Sequence, residues 1–279
     1  MPTKELDPST SVAALLGAKV RRLREAARLT QQELGDRVFV SHTRIAKVEL
    51  ATDPPGWKLT EQLDEALNAG GALTELWPHI KNNPYPDFSQ KFMGLQAQAT
   101  AIHEFSQVVP GLLQTERYAR AMLKSGQVYG DWDLERMVAA RLDRQALLDG
   151  EDAPWTWVVL DEAALYRQVG QLDVMAEQLE QLILAGEGDR LCVRVCPRNK
   201  VDPAAMSGSM SILTLRDGSR VVYLEGIKSG SLSEDPDDVV RHSVVYDRLQ
   251  ANALSPDASV ALIRKVMEEH YPCAPNDRT

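Results

Sequence analysis

The chain has 279 residues, the length of one large domain or two ordinary ones. Hydrophobic residues make up 44% and charged residues 25%, as in ordinary globular proteins, and three cysteines are too few for a disulfide framework. No run of 18 apolar residues predicts a membrane span and the N-terminus lacks the apolar core of a signal peptide, so we expect a cytoplasmic protein.

The net charge of −9 is distributed unevenly along the chain. The stretch from Lys19 to Lys47 holds eight basic and three acidic residues, a local charge of +5, while residues 81–279 carry a net −8. A confined basic stretch on an acidic protein is typical of a module that contacts phosphate with one face.

The first eighty residues predict an all-α domain of five helices. Apolar residues at helical spacing predict a first helix over about 12–27. Thr30 and Glu33 then form the pattern of a capping box, in which each side chain bonds the other residue's backbone N–H. A short second helix therefore begins at Gln31.

A third helix follows the second one closely. Ser41 is its predicted cap, and it extends to about Leu50. Only Phe39 and Val40 lie between the two helices, which is the spacing of a helix-turn-helix. Two more helices are predicted, over 59–67 and 73–80.

The polar, proline-containing stretch 82–87 is predicted to be a linker between a domain at 1–81 and a second domain at 88–279. The second domain is predicted to be mixed α/β, with a small sheet framed by helices. Its predicted strands lie at 101–105, 155–160, 191–195, 209–215 and 221–225. Its predicted helices lie near 88–97, 115–125, 131–148 and 174–184, from Asp235 onward, and over 255–270.

The third helix has two different faces. At 100° per residue, His42, Thr43 and Lys47 share one face, whereas Ile45 and Val48 lie opposite and are expected to pack inward. Donors and acceptors on an uncrowded face are what a recognition helix needs in the major groove. Arg44, and Gln31 at the start of the second helix, are expected to meet the phosphate backbone. The candidate DNA-contacting residues are Gln31, Gln32, Ser41, His42, Thr43, Arg44 and Lys47.

The alternative for this region is an amphipathic helix bundle with a solvated polar face. Any one of these residues taken alone favours that interpretation. The combination of capping box, two-residue turn, second cap and basic stretch favours DNA binding.

Two stretches resemble known families. VRRLREAARLTQQELGDRVFVSHTRIAKVE resembles the XRE type of helix-turn-helix, which is similar to phage (lambda-type) repressors. PGLLQTERYARAML, with RLDRQALL, VVLDEAALYRQVG, EQLEQLI and LQANALSPDASVALIRKV after it, resembles the C-terminal domain of a large actinobacterial subfamily of antitoxin-like regulators. Together the resemblances span residues 12–270.

The resemblance implies a transcriptional regulator that binds double-stranded operator DNA, usually as a homodimer. Its gene would often lie beside one for a small partner protein. The resemblance also places Gln31 on the DNA backbone and His42, Thr43 and Lys47 over the bases. It pairs Arg24 of the first helix with Glu49 at the end of the recognition helix, as an architectural contact.

This sequence departs from the family pattern at three places. The family has glycine where Arg28 and Phe39 stand, and glycine adopts a left-handed backbone without steric strain. Arg28 and Phe39 are therefore expected to be strained or to shift the local geometry. The family's Glu-Arg-Gly ending is also absent, since Glu49 is followed by Leu50 and Ala51.

Enzyme signatures are missing from the sequence. The five histidines show no metal-binding helical spacing, no phosphate-binding glycine loop is present, and Lys228 stands where a G-x-S-x-G motif needs its nucleophile. Cys192 and Cys196 would lie about 13 Å apart on a strand, too far to share an ion. We expect no catalytic residues, no metal and no cofactor.

The second domain leaves alternatives open. Arg141, Arg144 and Gln145 share one helix and suit an anion, but a solvated face or a buried ion pair explains them better. Four aromatic residues suit either a pocket or the core, with the core favoured: Trp155, Trp157, Tyr166 and Tyr223.

The sequence thus predicts a DNA-binding transcriptional regulator, with half-sites about one helical turn apart if it is a dimer. The alternative is an antitoxin-like protein that sequesters a small partner and binds DNA only to regulate its own gene. The sequence leaves open the operator, the regulated genes, the sign of regulation, the dimer surface and any effector.

Overall fold

The computed structural model describes residue 8 and residues 11–81, 87–129, 133–186, 189–227 and 229–272. The chain divides into two compact units, residues 1–91 and 92–279. Residues 82–86 of the predicted linker lie outside the described residues.

The N-terminal unit is helical. Its described elements are α1 (Val12–Ala26), α2 (Gln31–Arg37), α3 (His42–Glu49), α4 (Trp57–Ala66) and α5 (Trp77–Lys81). The side chains of Ser11, Thr30 and Ser41 cap the first three helices, and the capping box of Thr30 and Glu33 is complete. The structure confirms these three predicted helices. Their starts were predictable because each cap is a contact between residues three positions apart.

The last helix of this unit begins later than expected. The sequence predicted a helix over 73–80, but α5 starts at Trp77. The Asp64 carboxylate accepts backbone N–H bonds from Gly71 (2.7 Å), Leu73 (2.7 Å) and Thr74 (3.2 Å), and these hold the preceding residues in a turn. Burial raises the pKa of Asp64, but the three backbone bonds outweigh it, and the net shift is downward.

Two glycines allow the helices of this unit to approach closely. A Cβ on Gly17 would lie 2.5 Å from the Val48 carbonyl oxygen, and one on Gly35 would lie 2.6 Å from that of Val40. Any larger residue would push α1 from α3, or α2 from the turn. The core they enclose includes Leu16, Val20, Leu34, Ile45, Val48 and Leu63.

The expected strain at the two non-glycine turns is confirmed. Arg28 has φ of 56° and Phe39 has φ of 58°, so both adopt the left-handed conformation that favours glycine. Both positions therefore keep the left-handed backbone expected for glycine, although neither residue is glycine. Phe39 is 86% exposed, so packing against the core does not offset its strain.

The C-terminal unit is a mixed α/β domain. Its helices are α6 (Asp87–Gln96, which crosses the division at residue 91), α7 (Glu116–Gly126), α8 (Leu134–Gln145), α9 (Leu172–Ala185), α10 (Pro236–Asn252) and α11 (Pro256–His270). Its strands are β1 (Ala99–Ser106), β2 (Trp155–Asp161), β3 (Leu191–Cys196), β4 (Ser209–Leu215), β5 (Arg220–Gly226) and β6 (Ser229–Ser233).

These strands form one six-stranded sheet in the order β3-β2-β1-β4-β5-β6. β1, β2 and β3 are parallel, whereas β4, β5 and β6 pair antiparallel. The sequence prediction missed β6, because SGSLS lacks the β-branched and aromatic residues typical of strands. Pairing with β5 makes it a strand, so the sheet is wider than predicted.

Apolar cores lie on both faces of this sheet. One joins β2 and β3 to α9 and α11, around Leu160, Val195 and Leu179. The other joins β1, β4 and β5 to α10, around Phe105 and Ile212. Asp235 and Ser255 cap α10 and α11, each followed by proline at the first turn, as predicted.

The four aromatic residues considered as a pocket do not come together. Trp155 and Trp157 stack on each other, with ring centroids 6.3 Å apart. Tyr166 lies against Arg198 and His270, and Tyr223 stacks on Phe92 elsewhere in the unit. The single-pocket alternative is therefore wrong.

The two described cysteines both lie on β3. Burial raises the pKa of Cys196 to about 11, so its thiol stays protonated and unreactive at neutral pH. None of the described helices combines the length and apolar character needed to cross a membrane.

Candidate nucleic-acid interface

Helix α3, the predicted recognition helix, has the two faces that its sequence predicts. Ile45 and Val48 are buried, whereas His42, Thr43 and Lys47 are exposed. His42 Nε2 and Thr43 Oγ1 lie 3.4 Å apart, so these two polar groups are neighbours at the start of the helix. One face of α3 is thus fixed by the core and the other is open to solvent.

Ser41 and Gln32 flank this open face. The Ser41 hydroxyl accepts the Arg44 backbone N–H at 3.2 Å, so its oxygen is used as the helix cap. The Gln32 amide donates to the Asp36 carboxylate at 2.8 Å on the exposed side of α2. Both side chains are exposed, and both are ordered by bonds within their own helix.

A buried network around Glu49 fixes the angle between the helices. Arg24 donates from Nε and Nη2 to the two oxygens of Glu49, at 2.5 and 3.0 Å, and from Nη1 to the Leu29 carbonyl at 2.8 Å. The hydrogen bond to Glu49 raises the pKa of Arg24. The expected architectural pair of Arg24 and Glu49 is confirmed, and Arg24 is removed from the basic surface.

Gln31 belongs to the same network. Its Nε2 donates to Glu49 Oε2 at 2.8 Å, and its side chain is half-buried. Sequence reasoning missed this bond, because a contact across 18 residues between two helices leaves no local pattern. Gln31 therefore links the start of α2 to the end of α3.

Arg44 has partners in the loop after α3. Its guanidinium donates to the carbonyls of Asp53 (2.7 Å) and Pro54 (3.0 Å), and it pairs with the Asp53 carboxylate at 2.5 Å. The side chain is half-buried. These contacts give Arg44 an internal role that the sequence did not indicate.

The basic stretch keeps only part of its charge available. Arg21 pairs with Glu25 at 3.0 Å and Lys19 donates to the Ala72 carbonyl at 3.4 Å, in addition to the bonds of Arg24 and Arg44. Four other cations are exposed and form no ion pair among the described residues: Arg22, Arg28, Arg37 and Lys47.

Two family models match separate parts of the chain. A family model described as "Helix-turn-helix domain" matches residues 15–77, and one described as "Domain of unknown function (DUF5753)" matches residues 89–265. No curated protein and no solved structure matches the chain.

The first match confirms the helix-turn-helix and indicates a DNA-binding regulator. The XRE-type and antitoxin-like assignments stay predictions. The second match covers more than half of the residues, and the chain therefore belongs to the DUF5753 family, with a helix-turn-helix domain preceding the DUF5753 region.

Proposed function

We propose that this protein is a sequence-specific transcriptional regulator rather than an enzyme, and that it inserts α3 into the major groove of its operator. One observation carries the proposal. The residues His42, Thr43 and Lys47 are exposed on a helix whose other face is held by the core and by the Glu49 network. A rigidly held helix with an open polar face is what direct readout of bases requires.

Each side chain has a distinct role in this mechanism. The Lys47 ammonium donates to acceptor atoms on the base edges, and the His42 ring and Thr43 hydroxyl offer further donors and acceptors. Gln31 has two amide N–H groups and Glu49 uses one, so the other is left for a phosphate oxygen. Gln32 and Ser41 border the same surface. Arg44, which pairs with Asp53, holds the 53–54 loop in place at the rim of this surface.

The charge distribution supports one orientation on DNA. The acidic residues beyond the first domain are repelled by phosphate, whereas the exposed cations of residues 19–47 are attracted. We propose a homodimer that binds two half-sites about one helical turn apart, because a single short helix reads only a few base pairs.

A second role is binding a small partner protein through the C-terminal unit. Val240 and Val244 of α10 are 60% and 46% exposed, one turn apart on a helix of a well-packed domain. Exposed apolar side chains at this spacing suit a protein contact. Co-purification of a small protein with the wild type, lost in a Val240→Glu, Val244→Glu variant, would support this role.

The test of DNA binding is fluorescence anisotropy with the DNA upstream of the protein's own gene, beside scrambled DNA of equal length. We expect tight binding to the native fragment that weakens with salt. Lys47→Ala should weaken it by about 1–3 kcal/mol.

Lys265→Ala, which removes the same charge from an exposed site on α11, is the matched control and should bind like the wild type. Wild-type affinity in Lys47→Ala, or equal affinity for native and scrambled DNA, would contradict the docking of α3 as the reading helix.

A further inference from the structure

The sheet of the C-terminal unit has two edge strands, β3 and β6, and their outer edges differ. The outer edge of β3 is bonded by the connection between α10 and α11. The Leu254 N–H donates to the Val195 carbonyl oxygen at 2.9 Å, and the Val195 N–H donates to the Ser259 hydroxyl at 3.0 Å. The Arg194 guanidinium donates to the Leu254 carbonyl at 2.7 Å. The chain therefore covers this edge with its own residues.

The outer edge of β6 has no such cover in the described part of the chain. Along its inner edge, β6 pairs with β5, from Ser229 opposite Gly226 to Ser233 opposite Val222. No described residue outside β5 forms a hydrogen bond with the β6 backbone. A strand with a neighbour on one side presents the N–H and C=O groups of every second residue on its other side. These groups can pair with one further strand.

β6 also lacks the features that keep edge strands from pairing with other chains. Natural edge strands are blocked by charged side chains, proline, bulges or extreme shortness. The sequence SGSLS has no charge and no proline, and its register with β5 runs without a bulge. Five residues is an ordinary strand length, and both Ser229 and Ser231 are exposed. The edge therefore suits an extended segment that binds through its backbone.

The sequence of β6 fits a second copy of itself. If two β6 strands pair antiparallel about Ser231, this serine faces its own equivalent, and Ser229 faces Ser233 of the partner subunit. Leu232 then faces Gly230 of the partner subunit, where the missing side chain leaves room for the leucine. The two Ser231 hydroxyls can exchange a hydrogen bond. Apart from this central contact, each contact occurs twice, as a symmetric dimer interface requires.

Charge also favours this edge for a contact between copies. Residues 81–279 carry a net −8, so the acidic surfaces of two copies repel one another. Residues 229–233 carry no charge, and the pairing therefore sets no like charges opposite each other. We propose that two copies of this chain dimerise through antiparallel pairing of β6 with β6, which joins their sheets into one. The proposal names the surface of the homodimer, so it rests on the proposed function.

Sedimentation equilibrium of the full chain without DNA measures this dimer. We expect the wild type to form a reversible dimer at micromolar concentrations. Ser231→Asp sets two carboxylates opposite each other and should raise the dimer Kd at least tenfold, and Ser231→Lys should do the same. An equimolar mixture of the two variants should restore the dimer, because opposite charges then face each other. Ser125→Asp, at an exposed site on α7, is the matched control and should dimerise like the wild type.

Cysteine substitution tests the register of the pairing. Directly opposite residues have Cα atoms about 4.5–5.5 Å apart, which suits a disulfide. Ser231→Cys should therefore form a disulfide-linked dimer under mild oxidation. Ser229→Cys, in the same strand, should not, because its equivalent lies four residues along the partner strand, about 14 Å away. The wild type beside both variants controls for the native cysteines.

The proposal would be overturned by a monomeric wild type, by a dimer that Ser231→Asp leaves unchanged, or by equal cross-linking of the two cysteine variants. Circular dichroism establishes that each variant is folded. Neither experiment contains DNA, so failure of this proposal and failure of the proposed function are distinguishable. Equal affinity for native and scrambled DNA contradicts the function, whereas an unchanged dimer in Ser231→Asp contradicts only the choice of β6.

Discussion

The two units of this protein treat a buried carboxylate in opposite ways. Glu49 in the N-terminal unit is 3% exposed and accepts three donors, two from Arg24 and one from Gln31. Glu104 in the C-terminal unit is half-buried and accepts none from the described residues. The first carboxylate is fully paired, whereas the second has its pKa raised to about 7.

This difference separates a carboxylate that the fold uses from one that the fold only encloses. Glu49 contributes to the angle of α3, because its partners lie on α1 and at the start of α2. Glu104 holds no part of the fold together by hydrogen bonds, and its ionised form is destabilised by its surroundings. Removing each carboxylate should therefore have opposite effects on stability.

The largest effect is expected for Glu49→Ala. The change leaves the buried Arg24 guanidinium with the Leu29 carbonyl and, at 3.6 Å, the exposed Glu25 carboxylate as its described partners, and breaking a buried ion pair costs about 3–5 kcal/mol. Urea unfolding followed by circular dichroism should show the N-terminal unit unfolding at much lower urea. Glu25→Ala, which removes the exposed partner of Arg21 and a longer contact of 3.6 Å with Arg24 but leaves the Glu49 pair intact, should change stability by less than about 1 kcal/mol. Equal effects of the two changes would show that the Glu49 network is not structural.

Glu104→Gln should change stability in the other direction, and only at higher pH. The folded-state pKa of Glu104 is raised from 4.5 to about 7, so the wild type loses stability as pH rises through that range. Burial, Glu225 on β5 and Arg144 on α8 set this shift. The variant should equal the wild type near pH 4 and exceed it at pH 8 by at most about 3 kcal/mol. Urea midpoints at pH 4, 6 and 8 measure this, and a difference that does not depend on pH would contradict it.

Tyr223→Phe should give a smaller gain of about 1 kcal/mol, since it removes a buried hydroxyl that has no partner in the described structure. The ring and its stacking on Phe92 remain. Thermal unfolding of the variant beside the wild type measures the gain. Tyr246→Phe is the control and should lose stability, because the Tyr246 hydroxyl donates to the Trp157 carbonyl at 3.2 Å. A loss of stability in Tyr223→Phe would mean that its hydroxyl is bonded after all.

The smallest effects are expected at the strained turns of the N-terminal unit. Arg28→Gly and Phe39→Gly relieve a left-handed backbone but make the unfolded chain more flexible, so each should stabilise by at most about 1 kcal/mol. Arg22→Gly, inside α1, should instead destabilise by about 1 kcal/mol. Chemical unfolding of the three variants tests whether strain is confined to the turns. Destabilisation in all three would remove the case for strain.

The accuracy of the sequence analysis depended on how local each contact is. The caps at Thr30 and Ser41 bond groups three residues away, and their helices were predicted nearly to the residue. The start of α5 was missed because Asp64, several residues upstream, holds the turn before it. β6 was missed because its own residues do not favour a strand and only β5 makes it one.

The sequence predicted which face of α3 is exposed, but it did not predict the contacts that hold α3 and the following loop in place. The exposed face of α3 follows from the helical period alone. The hydrogen bond from Gln31 to Glu49 and the bonds from Arg44 to the loop after α3 depend on how chain segments meet after folding. The sheet is the extreme case, since β1 and β4 pair although more than 100 positions separate them in the sequence.

The sequence by itself therefore determined the helix-turn-helix, the exposed face of its third helix and the mixed α/β character of the second unit. Apolar periodicity and capping residues act over three or four positions, so the amino-acid sequence alone shows them. Only the tertiary structure decided which polar groups found partners and which did not. Glutamates 49 and 104 look alike in the sequence, and they differ because folding surrounds one with donors and encloses the other without them.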